Sequence, residues 1–149
     1  MSSSSIPALI RPVIALNGWT FAMEIWMYAT RLPVFTRLKL ADDNTKPRAE
    51  IDRLTPPAVR WKVDNYNHLL EQPTQFYAIA LALALARRTT GDGADNVVDV
   101  RLAWAYVGLR ILHSLVHAST NNIRRRFTLF VLSSGVLAVL GGRAARLVF

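Results

Sequence analysis

Apolar residues in this chain fall into long runs separated by short polar stretches. The first run extends from Ile6 to Phe35 and is broken only by Arg11, Asn17, Glu24 and Arg31. A bilayer core is crossed by about 20 residues of helix, so its length suffices for a span. Residues 36–57 are polar and predict a long surface loop, closed by Pro56 and Pro57, which stop one helix and can start another. A second helix is predicted over 58–86, mixed polar in its first half and apolar through "FYAIALALALA" (76–86). "RRTTGDGADN" (87–96) reads as a loop, with Asp95 or Asp99 as candidate cap of a third helix over 97–120. "NNIRRR" (121–126) is a short polar connection to a fourth span, 127–146. Residues 127–142 carry no charge and no polar face at 3.6-residue spacing, which separates this run from a soluble amphipathic helix. The pattern predicts an all-α, integral-membrane four-helix bundle forming a single domain over 1–149.

Composition sharpens this picture. The chain has 149 residues, 52% hydrophobic, with a net charge of +8; its pI is about 10.8. Such a basic balance first suggests nucleic acid, but the charges are clumped at the ends of apolar runs instead of spread over a surface. No nucleic-acid partner is therefore expected. The tail Met1–Ser5 lacks the positive charge of a secretory signal, so the first run is expected to be retained. Cysteine is absent, which excludes disulfides, thiolate metal sites and a cysteine nucleophile. The first and third connections, with their helix ends, hold eleven Lys and Arg against six on the other side. The positive-inside rule then places the 36–57 loop in the cytoplasm and both termini on the opposite side of a multi-pass membrane protein.

Charges away from the span ends carry the functional signal. An ionisable group at the bilayer centre costs on the order of 3 kcal/mol on insertion scales, so it needs a partner or a purpose. On the second helix Arg60, Asp64, His68 and Glu71 share one face; on the third, Arg110, His113, His117 and Asn121 do. Two spans joined by a short loop run antiparallel, so residues at equal depth have position numbers of constant total. Glu71 with Arg110, His68 with His113, Asp64 with His117 and Arg60 with Asn121 all meet that condition. The matching gives depth, not contact, and pairs within one chain or across a subunit boundary both satisfy it. Glu24 and Asn17 in the first span either add to this site or form a separate inter-helix hydrogen bond; Glu24 beside Trp19 and Trp26 also admits a proton-coupled exporter. His113 and His117 have a usable metal-ligand spacing, but two histidines on one face more often form hydrogen bonds, and no metal is expected.

"DNYNHLLEQPTQFYAIALALAL" (64–85) and "AWAYVGLRILHSLVHASTNNIRRRF" (103–127) resemble the MAPEG family, the membrane-associated proteins in eicosanoid and glutathione metabolism, and most of all its bacterial branch. The resemblance implies a homotrimer of four-helix subunits with a glutathione site between subunits, open toward the cytoplasm. It implies conjugation or reduction of a small apolar electrophile, with glutathione as co-substrate. By position, Glu71 matches a glutamate that holds the peptide's amino end, Arg110 an arginine that binds a glutathione carboxylate, and Arg126 the arginine associated with the thiolate. Three positions depart from the pattern: His68 stands for an asparagine, Asp64 for an arginine and His117 for a tyrosine. The expected catalytic residue is Arg126, and the expected substrate-binding set is Asp64, His68, Glu71, Arg110, His113 and His117. Asp64 sets an anion where a site for an anionic tripeptide has a cation. That supports an alternative, a non-catalytic protein of the same kind that binds membrane lipid or another apolar ligand.

Overall fold

The structure is a computed structural model that describes residues 6–40, 45–90 and 96–149. The Met1–Ser5 tail, residues 41–44 of the polar loop and the candidate cap Asp95 lie outside the described residues. Among the described residues all regular structure is helical: α1 (Ile10–Arg37), α2 (Arg48–Leu54), α3 (Pro57–Glu71), α4 (Pro73–Thr90), α5 (Val97–Ser119) and α6 (Ile123–Val148).

Several boundaries differ from the hydropathy pattern for identifiable reasons. The polar segment 36–57 is not wholly loop, because α2 forms within it, preceded by Pro47. The second predicted helix is two helices. Pro73 cannot donate a backbone hydrogen bond and crowds the preceding turn, so α3 ends at Glu71 and α4 restarts at Pro73. The α4 helix then absorbs Arg87 to Thr90, which the sequence pattern assigns to the loop. Asp99 does not cap α5. Asn96 does, its side chain accepting from the backbone N–H of Val98 at 3.1 Å and of Asp99 at 3.3 Å.

The connection between α5 and α6 is only Thr120 to Asn122. Asn121 takes a left-handed φ of 49°, which asparagine adopts more readily than other side-chain-bearing residues, and its N–H reaches back to the Val116 carbonyl at 2.8 Å. Asn122 then caps α6 by accepting from the Arg125 N–H at 3.1 Å. Two consecutive asparagines thus stop one helix and start the next. This tight reversal lays α6 along α5 and sets Arg126 beside the last turns of α5.

The α5 helix is the most enclosed element, packed against α1, α3 and α6. Its buried stripe of Asp99, Ala103, Tyr106, Val107, Arg110, His113, Ser114 and His117 follows helical periodicity. Three levels result along it. An apolar middle joins Ala103, Tyr106 and Val107 to Leu16, Phe76, Leu83, Leu137 and Leu140, with Phe76 and Tyr106 stacked at 4.5 Å. Beyond it, toward the C-terminus of α5, the interior turns polar with Asn65, Arg110, His113, Ser114 and His117. At the N-terminal end Asp99, fully buried, accepts from Arg87 Nε at 2.7 Å and Nη2 at 2.5 Å, and from Arg143 Nε. Arg143 Nη2 also donates to the Asn96 side-chain oxygen Oδ1 at 3.1 Å, tying the α5 cap to α6.

The outside is apolar. Ile14, Phe21, Ile25 and Leu32 form an exposed stripe on α1, and Leu81, Leu85, Trp104, Leu112, Leu115, Phe127, Leu132 and Val139 project outward from α4, α5 and α6. Polar residues inside and large apolar ones outside are the reverse of a water-soluble domain. Among the described residues one helix, α6, is long and apolar enough to cross a membrane by length and composition.

Replacing Asp99 with Ala removes the buried carboxylate that Arg87 and Arg143 share. The expected loss is about 3 kcal/mol, as for one member of a buried ion pair. Thermal unfolding in detergent should show a clearly lowered midpoint, with a smaller drop for Arg143→Ala, whose side chain is partly exposed.

Candidate functional site

The polar level of the interior is organised by Arg110, a fully buried arginine. Its Nη1 donates to the side-chain carbonyl of Gln72 at 2.8 Å, and its Nη2 donates to the backbone carbonyl of His68 at 3.2 Å. Both partners exist because of the break before Pro73. The last carbonyls of a helix have no intrahelical donor and carry partial negative charge, so a buried cation there is favoured. Gln72, the residue at the break, also donates to Ser134 Oγ at 2.6 Å on α6. One arginine and one glutamine thereby join α3, α4, α5 and α6.

The expected Glu71–Arg110 pair does not form within one chain. Glu71 is mostly exposed and lies 3.5 Å from His68 Nδ1. The depth matching is met one residue later, by Gln72, because the helix break turns Gln72 inward and Glu71 outward. The His68–His113 rung holds, with ring centroids 4.9 Å apart. His117 completes a three-ring cluster, 5.8 Å from His113 and 6.1 Å from His68. Asp64 makes no direct bond to His117, and Asn121 bonds Arg126 instead of Arg60. Among the described residues no group of three or more His, Cys, Asp or Glu side chains is arranged to hold a metal ion.

Two adjoining pockets open from this cluster. The first, about 390 Å³, is polar and lined by Asp64, Asn67, His68, Glu71, His117 and Arg126. The second, about 230 Å³, is lined by His68, His113, Ile123, Arg126, Phe127 and Phe130, with Phe130 stacked on His68 at 5.9 Å. His68 and Arg126 belong to both. Of the seven candidates from sequence, the pockets bring together six; Arg110 lines neither and lies behind His68 as its support. Within "RRR" (124–126) only Arg126 turns inward, while Arg124 and Arg125 are exposed. Arg126 is held by Asn121, and its Nε is buried without a partner, as are Nδ1 of His113 and of His117. Hydrogen-bonding capacity thus remains around the shared wall.

Gln72, Asn67 and Phe130 were not among the sequence candidates, and Asn121 entered only as the depth match of Arg60. The signal for Gln72 was present in its place directly before Pro73, and for Asn121 in the paired asparagines. Phe130 had none, because nothing local distinguishes it from any other apolar residue of the fourth span.

The sequence model of the MAPEG family matches residues 9–146, nearly the whole chain. No curated protein and no solved structure matches it. The chain belongs to the MAPEG family.

A double-mutant cycle separates the two possible partners of Arg110. Gln72→Leu with Arg110→Gln should show a coupling of about 1.5 kcal/mol or more, as for hydrogen bonds to charged groups. Glu71→Gln with Arg110→Gln should show a smaller coupling, measured by detergent unfolding of the four proteins in each cycle.

Proposed function

We propose that this member of the MAPEG family binds glutathione, or a similar small anionic thiol, and uses it to conjugate or reduce an apolar electrophile at the wall formed by His68 and Arg126. The observation that carries the reading is the junction of a polar pocket with an aromatic one through those two residues. A water-soluble thiol peptide and a lipid-dissolved electrophile need unlike surroundings, and their reacting atoms must meet at one edge. The residues present fit such a thiol. Arg126 offers an unpartnered Nε, Glu71 an exposed carboxylate for an ammonium group, and the histidines further ring nitrogens.

A free thiol of ordinary pKa, about 8.5, is largely protonated at neutral pH, and a guanidinium beside the sulfur favours the thiolate. Arg126 is the cation common to both pockets, so it would stabilise that thiolate next to the apolar slot. In conjugation, sulfur donates an electron pair to the electrophilic carbon, a C–S bond forms, and the leaving group departs with its own electron pair. The thiol proton passes to water. In peroxide reduction two thiols give a disulfide, with the peroxide leaving as an alcohol and water. His68, packed between His113 and Phe130, lines both pockets.

The same reading includes a four-span bundle, crossed by α1, the α3–α4 rod, α5 and α6, assembled as a homotrimer in a bacterial inner membrane with both termini on the non-cytoplasmic side. Helix lengths of 28, 23 and 26 residues for α1, α5 and α6 support it, as does the apolar exterior of the rods. The inward placement of Arg110, His113 and His117 accounts for the polar residues that lower the hydropathy of α5.

One observation favours the second reading, a protein that binds a lipid or other apolar ligand without turnover. Asp64 shares the polar pocket with Arg126 and offers it a counter-charge. An anionic ligand must compete with that carboxylate.

Two measurements decide between them. Arg126→Ala should lower thiol-dependent turnover of a model aryl halide at least a hundredfold while the protein keeps its oligomeric state; unchanged turnover removes Arg126 from the chemistry. Asp64→Asn should tighten glutathione binding several-fold by calorimetry on detergent-purified protein. Absence of glutathione binding in both wild type and Asp64→Asn would favour the non-catalytic reading.

A further inference from the structure

A third pocket lies on the opposite side of α3 and shares no lining residue with the two described above. It is formed by Asn17, Thr20, Phe21 and Glu24 of α1 with Tyr66, Leu69, Leu70, Thr74 and Tyr77 of the α3–α4 rod, and its volume is about 240 Å³. Tyr66 and His68 are two residues apart and so point to different sides of α3. Glu24 stands near the middle of α1, which runs from Ile10 to Arg37. With α1 crossing the membrane as proposed above, a carboxylate there is placed away from bulk water, where an unpaired charge is costly.

The protein supplies Glu24 with a hydroxyl but no cation. The Tyr66 side chain is its neighbour, and among the described residues Glu24 makes no ion pair. Lys62, one turn before Tyr66 on α3, is engaged elsewhere: it donates to the Ala58 carbonyl at 2.8 Å and lies over the Trp26 ring at 4.9 Å. Of the other polar groups of the pocket, the two threonines have spent their protons: Thr20 Oγ1 donates to the Leu16 carbonyl at 3.0 Å, and Thr74 Oγ1 donates to the Glu71 carbonyl at 2.6 Å. Asn17 and Tyr77 add one amide and one hydroxyl, and Tyr77 sits within hydrogen-bonding reach of Thr20. Three aromatic rings, Phe21, Tyr66 and Tyr77, complete the lining.

From this donor and acceptor inventory we infer that the pocket between α1 and the α3–α4 rod binds a protonated amine carried on a small apolar body. An ammonium group has three N–H donors and no acceptor, and the lining offers it the Glu24 carboxylate with the Thr74 and Asn17 side-chain oxygens. Aromatic faces attract the same cation through their quadrupoles. The size also suits such a ligand. A cavity of about 150 Å³ holds benzene, so 240 Å³ accommodates one ring with a short amine arm. Phe21 and Leu70 line the pocket while remaining partly exposed, so it opens at the apolar outside of the helix pair, where an amphiphilic amine concentrates.

The test is equilibrium binding of 2-phenylethylamine to the detergent-purified full chain, beside the neutral analogue 2-phenylethanol. Saturable amine binding, at least tenfold tighter than the alcohol and at least tenfold weakened by Glu24→Gln, is the expected result. Equal binding of amine and alcohol, an unchanged Glu24→Gln variant, or no saturable amine binding to the wild type overturns the proposal. Leu70→Trp supplies a check independent of the carboxylate. It fills the mouth of the pocket, leaves Glu24 in place, and is expected to abolish amine binding; full binding in this variant also overturns the assignment.

Discussion

The buried guanidinium of Arg110 is the constraint on which the polar half of this protein depends. Such a group tolerates removal from solvent only if its donors find acceptors, and among the described residues no carboxylate bonds it inside. A helix broken at Pro73 provides the solution, exposing the His68 carbonyl and turning Gln72 inward. The break is therefore more than an accident of a proline in a hydrophobic run. It creates the acceptors that let a cation sit between helices, and through Gln72 and Ser134 it fixes where α6 lies.

The other features of the site follow from that anchor. With its carbonyl bound to Arg110, His68 is held with its ring against His113 and Phe130. The two-asparagine reversal after α5 then brings Arg126 to the same wall from α6. Three separate backbone devices, a proline break, a left-handed asparagine and an asparagine cap, converge on two side chains shared by two pockets of unlike polarity. The Asp99 network performs a comparable fastening at the other end of α5, so the apolar middle is closed by polar clamps above and below.

The molecule uses its two lateral faces differently. Toward α5 and α6 the α3 helix presents His68 beside Arg126 and the other histidines. Toward α1 it presents Tyr66 beside the lone carboxylate of Glu24. One face carries Arg126 with three histidines and the Asp64 and Glu71 carboxylates, the other Glu24 among aromatic rings. One helix lines two unlike pockets because residues two apart on a helix point to different sides.

Much of this was legible along the chain. Apolar runs gave the long helices within a few residues, since periodicity and length are local properties. The shared faces of the second and third helices, and the His68–His113 rung, followed from helix geometry alone. Family membership was legible too, in "HLLEQP" and "RILHSLVH". Contacts were not, because they depend on rotation about each helix axis, and a single break at Pro73 changes that rotation. It exchanges Glu71 for Gln72 as the partner of Arg110. Likewise the sequence placed Asp99, Arg87 and Arg143 at helix ends, where charges are ordinarily solvated. Only the packing of α4, α5 and α6 together buries them as one cluster, because burial depends on which three ends meet in space.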